Sequence, residues 1–453
     1  MAKKQAVTAA DLLAKINAKY GAGTITSAST AKGLNITRLP FDIFAVDSIT
    51  GGGLPRGRIT GFNGMKSSAK TYMAIKAVVA GQKYCRIHDV RMMKTDKKLY
   101  KCFSCGYLGE VEGDLCPECI QRFTKAELKV RDNNDIRLYD DGDYERVCPK
   151  CREYMPYRTL WIDSEGAWEN AWAVRNGVNC SLVTLCRTEY AEQAIDIIDN
   201  LLRTREFDLC VIDSLAHLVP QTETTDSAEK WQQGLQARLL NKLMRKLAAV
   251  CNSPGLNVSD RPTVIMINQV RLKIGVMFGD PSVKPGGLGQ EFVTSMDLKF
   301  WASKYEKSGE KEDDAGAVQS VLVNAKCEKN KTAPPQQQGN FRLWLMDTPE
   351  HRVGDNEEFN VVCGIAKEQG YFGNAKEGWS LYGNSYKTLK EITDKLWLDE
   401  ELFITLRDDL LRLRLGTVAS DTKALSVKPP ELGELDLTEA EPDATDNEQE
   451  DNG

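Results

Sequence analysis

The sequence contains no apolar run long enough to cross a bilayer. Nowhere in its 453 residues does a stretch approach the roughly 18 apolar residues of a membrane span. The first twenty residues mix lysines with small and apolar side chains and have no continuous apolar centre, which argues against a secretion signal. The chain also lacks an internal repeat. We therefore expect a cytoplasmic protein with no membrane partner.

The sequence also lacks the cysteine distribution of a disulfide-bonded protein. Seven of its 13 cysteines lie between Cys85 and Cys151, mostly as C-x2-C pairs, and the other six are scattered singly among apolar residues. Clustered pairs of this kind indicate metal binding, and hence a reducing compartment.

An overall positive charge is absent as well, since the formal net charge is −6. Residues 431–453, however, contain ten Asp or Glu and no Lys or Arg, so the rest of the chain carries a formal charge of +4. A segment this acidic cannot bury enough apolar surface to fold, and we predict a disordered tail over residues 417–453. The tail either solubilises the chain or competes electrostatically for a binding site on the same protein.

From residue 57 onward, short apolar runs rich in β-branched residues alternate with helical patterns. This alternation predicts an α/β fold with a mostly parallel sheet covered by helices on both faces. The predicted strands are Arg58–Phe62, Thr159–Asp163, Leu182–Leu185, Leu209–Asp213 and Thr263–Asn268. The predicted helices between them include Ala69–Ala80, Ala191–Arg203 and Gln233–Val250.

Interruptions of this pattern divide the chain into five predicted parts. A helix near the N-terminus carries an apolar stripe of Leu12, Leu13, Ile16 and Tyr20, which needs a partner surface in the same chain or another. A small α+β unit with two helical stretches follows the core. The predicted parts are an N-terminal helix and linker (1–40), an α/β core (41–84 and 152–349), a cysteine-rich insertion (85–151), a C-terminal domain (350–416) and the tail (417–453).

A phosphate-binding loop is predicted directly after the first core strand, in the segment GMKSSAKT (Gly64–Thr71). Backbone N–H groups and a helix N-terminus cradle phosphate oxygens in such a loop, while a lysine and a hydroxyl bind phosphate and magnesium. Lys70 and Thr71 fit these last two roles. Ala69 occupies the position where such loops usually carry a second glycine, and its methyl group could impair nucleotide affinity or turnover.

Polar side chains follow three further strands of the predicted sheet. LWIDSE delivers Glu165, LCVIDS delivers Asp213, and IMINQ delivers Asn268 and Gln269. Because ligands bind at the carboxyl ends of parallel strands, these residues should lie near the phosphate loop. One acid could then hold magnesium while the other activates water. Taken singly, each acid could instead cap a helix.

Four segments together resemble the RecA family of recombinases, including phage-type members such as UvsX. They are GGGLPRGRITGFNGMKSSAKTY, WIDSEGAWENAWAVRNGV, VIDSLAHLVP and NQVRLKIGVMFGDPSVKPGG, and the resemblance runs from about Ala10 to Leu415 without the insertion. It implies a RecA-type P-loop ATPase that forms a helical homo-filament on single-stranded DNA. It further implies homologous pairing and strand exchange with double-stranded DNA, in recombination and DNA repair.

The resemblance also implies individual roles at an ATP site. Glu165 would be the general base for water, Gln269 the sensor of the γ-phosphate, and Lys329 and Lys331 would reach the ATP of a neighbouring subunit. Thr71 and Asp213 would bind Mg²⁺, and Trp172 would lie on the adenine. The full set of nucleotide-binding residues is Gly64, Met65, Lys66, Ser67, Ser68, Ala69, Lys70, Thr71, Tyr72, Trp172 and Asp213.

A DNA site follows from the same resemblance. Basic side chains would contact the backbone, apolar ones would wedge between or cover bases, and glycines would allow close approach to phosphate. The implied residues are Arg238, Arg245, Arg271, Lys273, Ile274, Met277, Phe278, Gly286 and Gly287. Single-strand-binding and loader proteins are further candidate partners.

The insertion is where the sequence departs from the family. Eight ligands in four C-x2-C or C-x2-H pairs predict two tetrahedral Zn²⁺ ions per chain. The inner residues Cys102, Cys105, Cys116 and Cys119 would form a ribbon-like site, and the outer residues Cys85, His88, Cys148 and Cys151 a second one at the base. Alternating pairings stay open, and His88 could instead be a surface histidine. The insertion could dock a partner or contact DNA.

Two competing interpretations complete the sequence analysis. A RadA-type ATPase also combines a zinc finger with this core, but there the finger precedes the core and a protease-like domain follows it. The second alternative is a DNA-coating filament protein that does not hydrolyse ATP, which Ala69 motivates. A DNA-stimulated ATPase assay separates this alternative from the recombinase.

Overall fold

The structure is a computed structural model that describes residues 9–21, 24–26, 36–98, 100–101, 108–109, 144–225, 234–253, 256–272, 282–283, 289–307, 317–374 and 378–416. The predicted tail lies outside the described residues, as do the inner zinc ligands and six of the nine predicted DNA-binding residues. The site predictions concerned are Cys102, Cys105, Cys116, Cys119, Lys273, Ile274, Met277, Phe278, Gly286 and Gly287.

A single large sheet of eight strands forms the centre of the described chain. Five neighbouring strand pairs are parallel and two are antiparallel, which confirms the predicted α/β fold with a mostly parallel sheet. Of the five strands that the sequence predicted, two begin and end as predicted and three differ by one or two residues at their ends. The remaining three strands of this sheet were not predicted. In order across the sheet the strands are β16 (Gln338–Trp344), β15 (Val318–Asn330), β14 (Met296–Lys307), β3 (Ile59–Gly64), β11 (Thr263–Gln269), β10 (Leu209–Asp213), β8 (Thr159–Asp163) and β9 (Val183–Cys186).

Short strands pair outside this sheet, and helices cover its faces. The short strands are β1 (Arg38–Leu39), β2 (Leu54–Pro55), β4 (Met93–Lys98), β5 (Tyr100–Lys101), β6 (Leu108–Gly109), β7 (Tyr144–Val147), β12 (Arg271–Leu272), β13 (Ser282–Val283), β17 (Gly373–Asn374), β18 (Gly378–Leu381) and β19 (Asn384–Tyr386). The helices are α1 (Ala9–Tyr20), α2 (Phe44–Thr50), α3 (Lys70–Gln82), α4 (Asn170–Arg175), α5 (Ala191–Arg203), α6 (Gln221–Thr225), α7 (Leu235–Cys251), α8 (Gly289–Val293), α9 (Glu358–Glu368), α10 (Leu389–Leu398) and α11 (Glu400–Leu415).

The two faces of the sheet bury separate apolar cores. Along β10, Val211 joins the core that contains α3, while Cys210 and Ile212 join the core that contains α5 and α7. This division follows from the two-residue repeat of a strand, which sends successive side chains to opposite faces. Because both faces are covered, β8, β10 and β11 are apolar between their ends, and their polar residues lie at the strand ends.

The C-terminal unit has its own apolar core, built from α9, α10, α11 and the sheet of β17, β18 and β19. The expectation of two helical stretches was wrong, because Asp399 separates α10 from α11. Its carboxylate accepts a hydrogen bond from the Leu402 N–H at 3.0 Å and caps α11. The buried Arg407 of α11 pairs with Asp47 and Glu358, which ties this unit to α2. The domain boundaries themselves stay a prediction.

Helix α1 exposes much of its apolar stripe. Leu12 is 54% exposed and Tyr20 is 64% exposed, so the surface that covers them, which the sequence led us to expect, stays a prediction. In the part of the chain that the structure describes, none of the helices combines the length and apolar character that crossing a membrane requires.

Candidate nucleotide site and metal-ligand cluster

The phosphate loop is a tight turn between β3 and α3. Gly64 ends β3, and a Cβ at this position would lie 2.4 Å from the Phe300 carbonyl oxygen and 2.5 Å from Ser68 Oγ, so no larger residue fits. Ser67 and Ala69 both have left-handed backbones, with φ of 58° and 66°. Helix α3 begins at Lys70, so its unpaired N–H groups lie next to the turn. The predicted loop is therefore a tight turn between a strand and a helix, and phosphate binding by it stays a prediction.

Ala69 adopts the backbone conformation that favours glycine. A left-handed backbone costs an L-residue such as alanine roughly 1–2 kcal/mol. The chain tolerates this strain at the one loop position where the sequence departs from the usual glycine. We therefore expect alanine at this position to reduce the stability of the turn.

Lys70 is largely buried inside the loop. Its ammonium group donates hydrogen bonds to the Met65 carbonyl oxygen at 2.5 Å and to Ser68 Oγ at 3.1 Å. Burial lowers the pKa of Lys70, while the charges of Asp213 and Glu165 raise it. Both hydrogen-bond acceptors are neutral, so an anionic phosphate oxygen would be a stronger partner for this ammonium group.

Asp213 ends β10 beside the start of α3. The Thr71 hydroxyl donates a hydrogen bond to Asp213 Oδ2 at 2.9 Å, whereas Asp213 Oδ1 is buried and has no hydrogen-bond partner. Burial raises the pKa of Asp213 to about 6, with Glu165 and Asp163 adding to the rise and the Thr71 hydroxyl opposing it. A buried carboxylate oxygen without a partner, next to a hydroxyl, fits the oxygen ligands that Mg²⁺ prefers.

Glu165 lies just beyond the end of β8, at the same edge of the sheet. The Gln269 side-chain amide donates to both carboxylate oxygens of Glu165, at 3.1 and 3.2 Å. The backbone N–H of Glu165 donates to the Asp213 carbonyl oxygen at 3.3 Å, which fixes one strand end to the other. The structure thus brings together the two acids and the glutamine that the sequence predicted to meet.

Sequence reasoning missed His217, which approaches the same carboxylate. His217 Nδ1 lies 3.7 Å from Glu165 Oε2. A signal was present, because the chain has only three histidines and this one follows Asp213 by four residues. Nothing in the residue spacing, however, indicates that its ring turns toward Glu165.

Two predicted nucleotide-binding side chains pack against the core. Trp172 on α4 is half-buried against it. Tyr72 is 4% exposed, and its hydroxyl donates to the Gly354 carbonyl oxygen at 3.1 Å in the segment that leads to α9. Any contact between Tyr72 and a nucleotide would therefore be made by its backbone atoms and not by its side chain.

Lys329 and Lys331 lie toward the opposite edge of the sheet. The Lys331 N–H donates to the Ser295 carbonyl oxygen, and the Ser295 N–H donates to the carbonyl oxygen of Ile59, where β3 begins. Along β3, the five residues from Ile59 to Gly64 rise by about 16 Å at roughly 3.3 Å per residue. This length separates the backbone near Lys331 from the phosphate loop. Both ammonium groups contact carbonyl oxygens of α8, at Glu291 and Phe292.

Three of the predicted DNA-binding residues lie in the described chain, and all three are exposed. Arg238 and Arg245 lie two turns apart on α7, and Arg271 begins β12 directly after the residues that end β11. The structure does not bring these residues into contact with one another.

The outer cysteine and histidine pairs meet in one compact cluster. The ligand atoms of Cys85, His88, Cys148 and Cys151 all lie within 4.8 Å of one another. Cys148 Sγ is 3.5 Å from His88 Nδ1, and Cys85 Sγ is 4.0 Å from Cys151 Sγ. In a tetrahedral zinc site these separations would be about 3.5 Å and 3.8 Å, given metal–ligand distances of roughly 2.0 and 2.3 Å. The four residues therefore fit a zinc ion.

The two ligand pairs have the same local conformation. The Asp89 N–H donates to the Cys85 carbonyl oxygen at 2.8 Å, and the Arg152 N–H donates to the Cys148 carbonyl oxygen at 2.8 Å. Asp89 and Arg152 both have positive φ, at 52° and 63°. Burial raises the pKa of the Cys148 thiol, but the N–H groups of Cys151 and Lys150 more than offset it, and the pKa falls to about 6. The hydrogen bonds at Cys148 thus favour a thiolate, the form that binds metal, whereas burial raises the pKa of the neighbouring Cys85 thiol to about 11.

Ion pairs attach this metal-ligand cluster to the amino-terminal edge of the sheet. Asp89 accepts a hydrogen bond from the buried Arg56 at 3.0 Å, and Arg56 also donates to the Asp208 carbonyl oxygen at 3.1 Å. Arg86 pairs with the Asp208 carboxylate at 3.2 Å. Since Asp208 immediately precedes β10, the cluster lies at the edge opposite the phosphate loop.

A second group of ion pairs connects the base of the insertion to the C-terminal unit. Glu400, the first residue of α11, lies 3.0 Å from Arg146, 3.1 Å from Lys94 and 4.0 Å from Arg91. Sequence reasoning missed this contact, because these residues are separated by more than 250 positions.

Comparison with known proteins identifies the family. A family model of the RecA N-terminal domain matches residues 6–93 and 155–347, and the interval between the two matched segments contains most of the insertion. The protein RecA of Oleidesulfovibrio alaskensis is 28% identical over 394 residues, which cover 85% of this chain and 86% of the relative. RecA of Thermotoga neapolitana is 30% identical over 71% of this chain and 69% of its own length. RecA 1 of Myxococcus xanthus is 32% identical over 59% of this chain and 71% of its own length. The chain belongs to the RecA family of recombinases.

Proposed function

We propose that this protein is a DNA-dependent ATPase that forms a helical filament on single-stranded DNA and exchanges that strand with a homologous duplex. Proteins of the RecA family use ATP and Mg²⁺, bind single-stranded DNA and form homo-filaments. The observation that carries the proposal is the unpartnered Oδ1 atom of Asp213, buried beside Thr71, the last residue of the predicted phosphate loop. We propose a cytoplasmic location for this activity.

The residues at the carboxyl-terminal edge divide the work of hydrolysis. Lys70 and the N-terminus of α3 would bind phosphate oxygens, and Thr71 and Asp213 would hold Mg²⁺, which would neutralise phosphate charge. Glu165 accepts a proton from the attacking water. Gln269, which donates to Glu165 in this structure, is the residue that would turn to the γ-phosphate.

Gln269 also provides a connection to DNA. It ends β11, and the next residue, Val270, donates its N–H to the Gly64 carbonyl oxygen at 3.0 Å at the start of the phosphate loop. The exposed Arg271 follows directly, and with it the segment predicted to bind DNA. A change at the phosphate would thus reach that segment within two residues, which allows ATP binding and hydrolysis to order and release it.

A site shared between subunits accounts for the position of Lys329 and Lys331. Within one chain both lysines lie toward the amino-terminal edge of the sheet, and the phosphate loop lies at the other edge. Their proposed contact with ATP therefore requires a second copy of the chain. Hydrolysis would then depend on filament assembly.

For the insertion we propose two structural zinc ions per chain. The fit of Cys85, His88, Cys148 and Cys151 to a tetrahedron supports the outer site. The inner site rests on the spacing of its cysteine pairs. With both knuckles contributing ligands, the outer site leaves no open coordination position for chemistry.

A strand-exchange assay tests the proposed function. The protein is incubated with ATP, Mg²⁺, circular single-stranded DNA and a homologous linear duplex, and joint molecules are resolved by electrophoresis. We expect joint molecules with the homologous duplex and none with an unrelated duplex of equal length. Absence of products under conditions where filaments are visible by electron microscopy would contradict the proposal.

A further inference from the structure

The carboxylate of Glu165 lies between two side chains that can hold it. On one side the Gln269 amide donates at 3.1 and 3.2 Å, and on the other the imidazole of His217 has Nδ1 3.7 Å from Oε2. The first contact is a hydrogen bond, and the second is slightly longer than one. A small rotation of the His217 or Glu165 side chain would bring His217 Nδ1 within hydrogen-bonding distance of Glu165 Oε2.

The backbone fixes the position of His217 relative to Glu165. Residues Leu215–His217 form a single 3-10 turn after β10, in which the His217 N–H donates to the Ser214 carbonyl oxygen at 3.2 Å. The same carbonyl oxygen accepts a hydrogen bond from the hydroxyl of Ser164 at 2.7 Å, next to Glu165 in the chain. The two strand ends are therefore tied together, and the ring and the carboxylate face each other across this connection.

Ser214 gives the imidazole a defined alternative partner. Its hydroxyl is 2.9 Å from His217 Nδ1, and the residue is fully buried. A neutral ring that carries its proton on Nδ1 can donate either to Ser214 Oγ or to Glu165 Oε2, but not at full strength to both. The ring can therefore donate to Ser214 while Gln269 binds Glu165. It can donate to Glu165 once Gln269 has turned away.

We propose that His217 is a positioning residue that holds the Glu165 carboxylate in place once Gln269 has turned to the γ-phosphate. This inference rests on the proposed roles of Glu165 and Gln269. Without a second donor, Glu165 would lose its side-chain hydrogen bonds at the moment when it must accept a proton from water. With His217 in place, the switch of Gln269 and the orientation of the base become compatible.

Three variants of His217 test this role in the DNA-stimulated ATPase reaction. His217→Phe keeps a ring and removes the donor, so kcat should fall roughly 10- to 100-fold while KM for ATP and affinity for single-stranded DNA change little. His217→Asn places an amide donor near the position of Nδ1 and should restore most of kcat. His351→Phe serves as the matched control, since its ring lies away from Glu165 against Trp344, and should retain normal kcat.

A double variant separates positioning from a structural effect. In the Glu165→Gln background, His217→Phe should cause no further loss of turnover, because the group that it positions is already gone. A normal kcat for His217→Phe, or an equal loss for His217→Asn with unchanged thermal stability, would overturn the inference. Normal turnover of Glu165→Gln alone would instead overturn the proposed role of Glu165, so the two failures are distinguishable.

Discussion

The two edges of the central sheet differ in the kind of polar group that they leave without a partner. At the amino-terminal edge, Arg56, Arg86 and Asp89 form buried or half-buried ion pairs around the metal-ligand cluster, and the atoms left without a partner include one Arg56 nitrogen and the Thr159 hydroxyl. At the carboxyl-terminal edge, Asp213 keeps a buried oxygen without a partner, and the Glu165 side chain is 34% exposed. The paired charges at the amino-terminal edge stabilise the fold, whereas a buried carboxylate oxygen without a partner at a strand end fits a bound cation. The comparison assigns chemistry to one edge and anchoring to the other.

Helix α3 joins the two edges. It starts at Lys70 in the phosphate loop and ends at Gln82, three residues before the first ligand of the metal-ligand cluster. Thirteen residues at about 1.5 Å each give a rod of roughly 20 Å. Loss of the cluster would therefore act on the nucleotide site only through the stability of this helix and the sheet.

The largest expected effect is at the carboxyl-terminal edge. Lys70→Ala and Glu165→Gln should each abolish strand exchange and lower ATP turnover by about 100- to 10,000-fold. Lys70→Ala should also weaken ATP binding, since the ammonium group binds phosphate. Glu165→Gln should keep ATP bound and give long-lived filaments, because only water activation is lost. Nucleotide-binding and ATPase assays check both variants, and Glu169→Gln, at an exposed position, is the control. Normal turnover in Glu165→Gln would contradict the role of Glu165 as the general base.

The next largest effect is expected in the insertion, where substitutions at the outer and inner zinc sites should differ. Cys148→Ser should lower the zinc content from two ions per chain to one and destabilise the ATPase core by several kcal/mol, because binding of a structural zinc contributes on the order of 10 kcal/mol. Cys105→Ser should remove one zinc as well but disturb only the distal part. Metal analysis and thermal unfolding measure both, and Cys186→Ser, outside the cluster, should keep two ions. A single zinc in the wild type, or equal destabilisation by Cys148→Ser and Cys105→Ser, would contradict the division of the ligands into an outer and an inner site.

A mixing experiment tests whether the two edges meet between subunits. A variant with Lys329→Ala and Lys331→Ala, mixed with a Lys70→Ala variant, should recover part of the ATPase activity. Some interfaces in the mixed filament would then combine an intact phosphate loop with an intact lysine pair. ATPase rates across a series of mixing ratios measure the recovery. If both proteins co-assemble and no ratio restores activity, a shared site is excluded.

The smallest expected effect concerns Ala69. Ala69→Gly should stabilise the protein without nucleotide by about 0.5–1 kcal/mol, because relief of the left-handed strain exceeds the entropy that glycine loses on folding. Ala74→Gly in the middle of α3 is the matched control and should destabilise the protein by about 1 kcal/mol. Thermal unfolding compares the two, and a destabilised Ala69→Gly variant would contradict the strain at this position.

The sequence was most informative where local pattern decides structure. Strands β8 and β10 are apolar on both faces and end at Asp163 and Asp213, so their bounds could be predicted together with the acids Glu165, just beyond β8, and Asp213. The outer metal-ligand cluster could be predicted because paired cysteines have few other uses in a reducing compartment. Each of these signals lies within a few residues of the chain.

The contacts that sequence reasoning missed depend on tertiary packing. Arg56 reaches Asp89 and the Asp208 carbonyl oxygen, and Glu400 reaches Arg146, across intervals that carry no periodic signal. His217 is close to Asp213 in sequence, but its approach to Glu165 follows from the alignment of β8 with β10. Charged residues with several possible partners leave such pairings undetermined until the fold is known.

The most direct test of the central claim is the rate of ATP hydrolysis with and without single-stranded DNA, measured on the full chain with Mg²⁺. We predict slow hydrolysis without DNA and a severalfold higher rate with it, because filament formation completes the site with Lys329 and Lys331 of the adjacent subunit. A chain that binds ATP and coats single-stranded DNA but shows no DNA-stimulated hydrolysis would contradict the account and identify a non-hydrolysing filament protein.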